Sequence, residues 1–363
     1  MNFEISDDQR MLKDSVDRLI AEKYQLDHRL RFLDEPKGWS EDLWSDFVEL
    51  GLTILPFPEE VGGLGLGPIE TMIVGEAFGR GLVVEPYLPS IVLSGAAFLH
   101  GAGDRAADFL APIMTGGIVS AVADLADVSF ASGSLNGSAK VVLGGDCADL
   151  FIIPSSDGEW LVRRDAPGLS ARGYRLHGGG GAADLVFDGV KVEQADRLAD
   201  GSVQAAREAG IAFLAAEAVG AMQAALDTTV EYLKTRVQFG VAIGTYQALQ
   251  HRAAEMLIEV EQARSAAMYA AIMRDEGDPL ERAKGLSAVK AVIGKAGRLV
   301  GQGAVQLHGG IGVSEEHAVS HWFRRLAAIG VLLGDTEWHI KSLASCGGFT
   351  GPQPHFATEG QAA

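Results

Sequence analysis

The chain has 363 residues, and a prior of about 150 residues per domain predicts two or three domains. Hydrophobic residues make up 47% and charged residues 21%, which is typical of globular proteins and argues against disorder. The formal net charge of −18 argues against a nucleic-acid partner and against an anionic membrane surface, because both require clustered Lys and Arg. The two cysteines, the absence of a basic and apolar leader and the absence of a long apolar run predict a cytoplasmic protein with no membrane span.

Residues 1–115 predict a helical domain. Ser6 is a candidate helix cap, and Ser40, followed by two acids, predicts a second helix start. Residues 56–68 are rich in Pro and Gly, which indicates a structural loop; the strand-then-helix context of a phosphate-binding loop is missing. The apolar residues that follow Ser6 recur three or four positions apart, and they are Met11, Leu12, Val16, Leu19 and Ile20.

Residues 116–200 lose the helical spacing and predict a small antiparallel β domain. Turn signals separate its short runs, as in Asn136-Gly137 and in residues 178–181. The β-prone runs are residues 118–123, 139–143, 150–153, 160–162 and 185–187.

Residues 201–346 predict a bundle of long helices. One apolar stripe extends for about six turns from Ile211 to Leu233, and its small residues allow helices to approach closely. Further helices are predicted over 247–275, 279–301 and 335–345. Residues 347–363 are rich in Gly, Pro and Gln and predict a flexible tail. The fold class is therefore α+β and mainly α.

The sequence lacks the motifs of several standard sites. No cluster of Cys, His or acids has metal-ligand spacing, so no metal is expected. There is no Gly-x-Ser-x-Gly nucleophile elbow and no phosphate loop ending in Gly-Lys.

Residues 236–240, Arg-Val-Gln-Phe-Gly, form the first segment that could bind a ligand, together with Gln247. An Arg offers a planar fork for phosphate, a Gln offers amide groups and a Phe offers a face for a heterocycle. Together these groups suit a nucleotide. The residue types fit a helix end with a basic residue and a Gly cap equally well.

Residues 306–312, Gln-Leu-His-Gly-Gly-Ile-Gly, form the second such segment. Paired glycines allow a diphosphate to contact backbone N–H groups, and Gln306 would add a donor. The same glycines could simply cap a helix. Both readings stay open from the residues alone.

These two segments, in this order and separation, resemble the acyl-CoA dehydrogenase family. Residues 58–65, 185–192 and 246–251 echo the family as well, and the likeness extends from about residue 1 to 345. The resemblance implies an N-terminal helical domain, a middle antiparallel β domain and a C-terminal four-helix bundle. It also implies an acyl-CoA substrate, an electron-transfer flavoprotein as electron acceptor, and FAD at a subunit interface. By resemblance, the ADP half of a neighbour's FAD is bound by Arg236, Gln238, Phe239, Gln247, Gln306, Gly309 and Gly310.

The family's catalytic base is absent from both positions where its members carry it. In the family a carboxylate in an apolar site removes the α-proton of the thioester. The usual Glu lies in a turn before the last helix, where this chain has Leu333. Some members place the base on the long helix instead, where this chain has Gly210. The catalytic residue is therefore unknown, with Asp335 and Glu208 as the nearest acids.

The β domain departs from the family at the strand that contacts the flavin ring. The family reads Thr-Glu-Pro-x-x-Gly-Ser-Asp, whereas residues 123–130 read Ala-Asp-Leu-Ala-Asp-Val-Ser-Phe. The Thr that would hold the flavin ring and the Gly that would make room for it are both missing from this strand. These two losses fall on the half-site for the chain's own flavin, whereas the ADP half-site for a neighbour's flavin is kept. We therefore expect a subunit that completes a partner's active site.

In this respect the chain resembles the base-lacking subunit of the heteromeric dehydrogenases of steroid side-chain degradation. The resemblance implies an α₂β₂ assembly. One alternative is a homomeric acyl-CoA dehydrogenase whose base has moved to Asp335 or Glu208. A second alternative, of another class, is a flavin-free scaffold or binding protein. Retention of Arg236, Gln238 and Phe239 argues against that scaffold.

Overall fold

A computed structural model describes residues 5–117, 119–122 and 124–348. Six helices form the N-terminal part, and a π-helical segment, Tyr87–Ser94, leads into the fifth. Both predicted caps are present, because Ser6 Oγ accepts from Gln9 N at 3.1 Å and Ser40 Oγ accepts from Leu43 N at 3.3 Å. The helices are α1 (Asp7–Lys23), α2 (Leu26–Asp34), α3 (Glu41–Glu49), α4 (Pro68–Gly81), α5 (Gly95–Gly101) and α6 (Ala106–Met114).

The middle part consists of two four-stranded sheets. The strands are β1 (Ser120–Val122), β2 (Leu125–Ala131), β3 (Ser134–Leu143), β4 (Leu150–Ser155), β5 (Gly158–Arg163), β6 (Leu169–Arg175), β7 (Gly181–Lys191) and β8 (Arg197–Leu198). Their orders are β1-β4-β5-β8 and β2-β3-β7-β6. All pairs are antiparallel except β1 with β4, which are parallel. The predicted run 118–123 includes Ile118 and Ala123, which lie outside the described residues.

The C-terminal part consists of helices joined by one short hairpin. The elements are α7 (Ser202–Thr235), β9 (Val237–Gln238), β10 (Val241–Ala242), α8 (Gln247–Met273), α9 (Pro279–His308), α10 (Ala318–Val331) and α11 (Thr336–Ser345). The helix predicted over 279–301 continues to His308, and the sequence pattern did not indicate α10. The order of a helical, a β and a helical part matches the predicted fold class.

Helix α7 is the central helix of the bundle. By length and composition it could cross a membrane, but 83% of its most apolar window is buried inside the protein. It packs closely on α4, because a Cβ at Gly79 would lie 1.8 Å from the Glu217 carbonyl oxygen. Helix α10 is joined to it by a buried bidentate ion pair, in which Arg325 Nη2 donates to Glu217 Oε2 at 2.8 Å and Nε to Oε1 at 2.5 Å.

Candidate functional site

The two candidate ligand-binding segments meet at one end of the C-terminal bundle. Tyr232, in the last turn of α7, stacks on His308, the last residue of α9, with ring centroids 4.4 Å apart. The hairpin β9–β10 then leads through a short 3-10 turn, Ile243–Thr245, to Gln247, the first residue of α8. We call the following residues, all of them exposed, the turn cluster: Arg236, Gln238, Phe239, Gln247, Gln306, Gly309 and Gly310.

The first segment is a two-residue hairpin turn. Helix α7 ends at Thr235, and Gln238 pairs with Val241 across the hairpin. The turn residues Phe239 and Gly240 have φ of 54° and 84°. Gly240 is therefore a turn residue, and the alternative in which it caps a helix is wrong. Phe239 is 91% exposed in a left-handed conformation that disfavours bulky residues, and strain of this kind is common at functional sites.

The other members of the turn cluster offer a ligand an unpaired positive charge and unobstructed backbone. Arg236 has no acidic oxygen within 4.0 Å among the described residues. Gly309 caps α9, as one reading of the sequence predicted, and a Cβ at Gly309 or Gly310 would meet nothing within 4 Å. An unpaired guanidinium, exposed amides, an exposed aromatic ring and open glycine backbone fit the ADP half of FAD.

The two expected base positions lie against each other. A Cβ built on Gly210 would lie 2.6 Å from Leu333 Cδ1 and 2.5 Å from Leu93 Cδ2. Leu333 is buried and has a φ of 56°. We call these three residues the base locus. It is apolar, and none of its side chains can accept a proton.

The acids near the base locus are engaged elsewhere. Asp335 Oδ1 accepts from Trp338 N at 2.8 Å and caps α11. Glu208 Oε2 accepts from Arg282 Nε at 2.6 Å. Both carboxylates therefore have structural partners.

Arg207 connects the β domain to the turn that contains Leu333. Its guanidinium donates to Asp124 Oδ1 at 3.1 Å and to the Leu333 carbonyl oxygen at 3.0 Å. It also lies 4.3 Å from the ring centroid of Trp338. Burial raises the pKa of the Asp124 carboxyl, and Arg207 opposes that rise. Residues 124 and 333 thus belong to two segments that resemble flavin-contacting segments, and Arg207 bridges them.

Two buried groups that the sequence analysis missed hold the same turn. Lys290 Nζ donates to the Gly334 carbonyl oxygen at 2.7 Å, and His339 Nε2 lies 3.0 Å from the Leu333 carbonyl oxygen. Burial lowers the pKa of Lys290 to about 8 and that of His339 to about 4. Lys290 shares its stretch of α9 with Lys295 and Arg298, so its residue type alone gave no sequence signal for this support.

Family models match both helical parts of the chain. Residues 6–117 match the acyl-CoA dehydrogenase N-terminal domain, and residues 208–346 match the acyl-CoA dehydrogenase C-terminal domain. The chain is 28% identical over 342 residues to acyl-CoA dehydrogenase IpdE2 of Mycolicibacterium smegmatis, covering 93% of this chain and 98% of that relative.

Two solved structures show how far the fold likeness extends. The ChsE4-ChsE5 complex of Mycobacterium tuberculosis superposes with a TM-score of 0.89 at 24% identity, covering 98% of this chain and 100% of the matched chain. The Tcur3481-Tcur3483 steroid ACAD variant superposes with a TM-score of 0.86 at 25% identity, covering 94% of this chain and 97% of the matched chain.

Proposed function

The chain belongs to the acyl-CoA dehydrogenase family of FAD-dependent flavoproteins, and from this premise we propose that it completes the FAD site of a different dehydrogenase subunit. The observation that carries the proposal is an asymmetry within one chain. The turn cluster is exposed and free to bind, whereas the base locus is apolar and closed. The turn cluster can therefore bind the ADP half of a partner's FAD, whereas the half-site for the chain's own flavin has no base with which to run the reaction.

When bound, FAD supplies the two-electron acceptor for introducing an α,β double bond into an acyl-CoA. The residues of this chain would bind and orient its ADP half. The Arg236 guanidinium would pair with the diphosphate, and the exposed face of Phe239 would pack on the adenine. Gly309 and Gly310 would admit the diphosphate to the backbone.

The catalytic base comes from the partner subunit. Leu333 and Gly210 carry no proton acceptor, and a general base must come within about 3 Å of the proton that it removes. The bridge from Arg207 to Asp124 and to the Leu333 carbonyl supports a second role for these residues, which is to hold the β domain on the bundle in place of a ring contact.

The assembly that we propose is an α₂β₂ heterotetramer. Exposed large apolar side chains on the outer helices of the bundle support association, among them Leu257, Ile258 and Leu280. The similar structures, the ChsE4-ChsE5 complex and the Tcur3481-Tcur3483 steroid ACAD, support an assembly of two different chains and a bulky steroid-type acyl-CoA as substrate. An electron-transfer flavoprotein takes the electrons, and the reducing cytoplasm suits the two free cysteines.

Co-expression with a candidate partner tests the proposal. We would purify the chain alone and with a dehydrogenase subunit that retains the Glu, and measure FAD per subunit, mass and turnover. Because binding and association are linked, we expect little FAD on the lone chain and stable FAD in the complex. A lone chain that forms a homotetramer with one FAD per subunit and turns over acyl-CoA would contradict the proposal and favour the homomeric alternative.

A further inference from the structure

A cavity of about 660 Å³ lies between α1, α4, α7 and α8. Its volume falls within the range of about 300–1,000 Å³ that is usual for small-molecule sites. Its contact on α7 is Val219, nine positions beyond Gly210 and therefore about 13 Å further along the helix. Met72 lines this space and also a second cavity, of about 540 Å³, whose wall includes Ala209. We call the larger space the α4–α8 cavity; among the described residues that line it, none belongs to the base locus or to the turn cluster.

The wall of the α4–α8 cavity is mostly apolar and includes two methionines. Met72 and Met268 are flexible thioethers, which adapt to the shape of a ligand and make favourable contacts with aromatic rings. Tyr269 adds an aromatic ring that is 40% exposed. The other apolar residues of the wall are Ile5, Ile73, Ala77, Val219, Ala267 and Ile272. This wall suits an aromatic ligand.

The charged side chains around the cavity already have partners. Arg264 Nη1 donates to Glu76 Oε1 at 2.6 Å, and its Nη2 donates to Gln223 Oε1 at 2.8 Å. Two further ion pairs stand at the cavity, and they are Lys13 with Asp17 and Arg80 with Asp227. A charged ligand would therefore lose its hydration without gaining an unpaired counter-ion. This balance favours a neutral ligand.

We propose that the α4–α8 cavity binds a neutral aromatic molecule. The rings of the ligand contact the thioethers of Met72 and Met268, so binding joins α4 to α8. Because the ligand binds the folded chain alone, it also raises the Tm. Binding needs neither FAD nor a partner subunit, and it can be measured on the full chain by itself. Failure to bind would leave the proposed dehydrogenase role untouched.

Fluorescence titration of the full chain with two matched dyes tests the proposal. N-phenyl-1-naphthylamine is neutral, and 8-anilino-1-naphthalenesulfonate has the same ring skeleton with one added sulfonate. We expect the neutral dye to bind one to one and about tenfold or more tighter than the sulfonate, because the sulfonate would be desolvated beside cations that are already paired. Equal or tighter binding of the sulfonate would overturn the proposal.

Substitutions at Met268 locate the bound dye. Met268→Glu puts a carboxylate in the wall and should weaken binding of the neutral dye about tenfold or more. Met268→Lys supplies an unpaired cation, so it should strengthen binding of the sulfonate while it weakens binding of the neutral dye. This gain in affinity is a readout that loss of folding cannot produce. Thermal unfolding of each variant verifies that it folds.

Two control variants separate this cavity from the rest of the chain. Met11→Glu makes the same change at a 60% exposed position of α1 that does not line the cavity. Ala212→Leu narrows the second cavity, which Ala212 lines. Both should leave the affinity for the neutral dye unchanged. Unchanged affinities in the folded Met268 variants, or a loss of affinity confined to Ala212→Leu, would overturn the proposal.

A second copy of the chain is the competing occupant of this apolar wall. Light scattering across the concentrations of the titration measures self-association. We expect the affinity for the neutral dye to be independent of chain concentration. An affinity that falls as the chain associates would identify an interface between copies and would overturn the assignment to a small molecule.

Discussion

Replacing Phe239 with Asn should stabilise the chain and weaken its hold on FAD, two effects of opposite sign. Phe239 has a φ of 54°, and the left-handed conformation costs an L-residue about 1–2 kcal/mol. Asn tolerates that conformation, and Asn-Gly is a favoured pair in a two-residue hairpin turn. The ring is 91% exposed, so the substitution removes almost no burial within the chain.

The two magnitudes follow from these features. Relief of about 1 kcal/mol of strain should raise the Tm of a chain of this length by about 2 °C. Loss of stacking on adenine should cost about 1–3 kcal/mol of FAD affinity in the assembled complex, which is about a 5- to 150-fold change.

Thermal unfolding of the lone chain measures the first effect, and fluorescence titration of the complex with FAD measures the second. Met11→Gln is the matched control, because it also replaces an apolar side chain that is largely exposed, at 60%. Met11 lies in α1, which is distant in sequence from the hairpin that contains Phe239. This substitution should change neither quantity. A lower Tm in Phe239→Asn would refute the strain argument, and an unchanged FAD affinity would refute the aromatic contact.

Three other predictions follow from single side chains. Arg236→Ala should weaken FAD binding by the complex about 10- to 100-fold, with part of the loss recovered by Arg236→Lys; unchanged affinity in a titration would count against the ADP assignment. Asp335→Asn should leave steady-state turnover of the complex within a few-fold of the parent value, because Asn caps α11 equally well. A hundred-fold drop in turnover at normal FAD content would identify Asp335 as the base. Burial raises the pKa of Glu85 from 4.5 to about 7, so the stability that it contributes is present at low pH and is lost as the pH rises through that window. The Tm of the parent relative to Glu85→Gln should therefore fall between pH 4.5 and 7, and a difference that is independent of pH would contradict this assignment.

Features that depend on local hydrogen bonds could be predicted from the sequence. Ser6 and Ser40 cap helices through contacts three residues away, and such contacts follow from residue type alone. The hairpin at residues 239–240 was missed because Phe-Gly lacks the usual turn signal. The φ angles of residues 239 and 240 are nonetheless both positive, as in the turn that Asn-Gly favours.

The supports of the base locus could not be predicted, because they join positions that are distant in the chain. Arg207 contacts Asp124, 83 positions away, and the Leu333 carbonyl, 126 positions away. Lys290 reaches Gly334 from α9. A pattern of residue types carries no information on such pairings until the sheets and the bundle are placed together.

The contact between Gly210 and Leu333 also bears on how such a chain can evolve. A Glu at position 210 would begin with a Cβ only 2.5–2.6 Å from terminal carbons of Leu93 and Leu333, so both leucine side chains would have to move aside or be shortened. Shortening a buried leucine to alanine costs about 2–5 kcal/mol, and neither step restores any chemistry by itself. Regaining a base at position 210 therefore has a steric cost that regaining one at position 333 does not share, because a Leu333→Glu change removes the leucine itself.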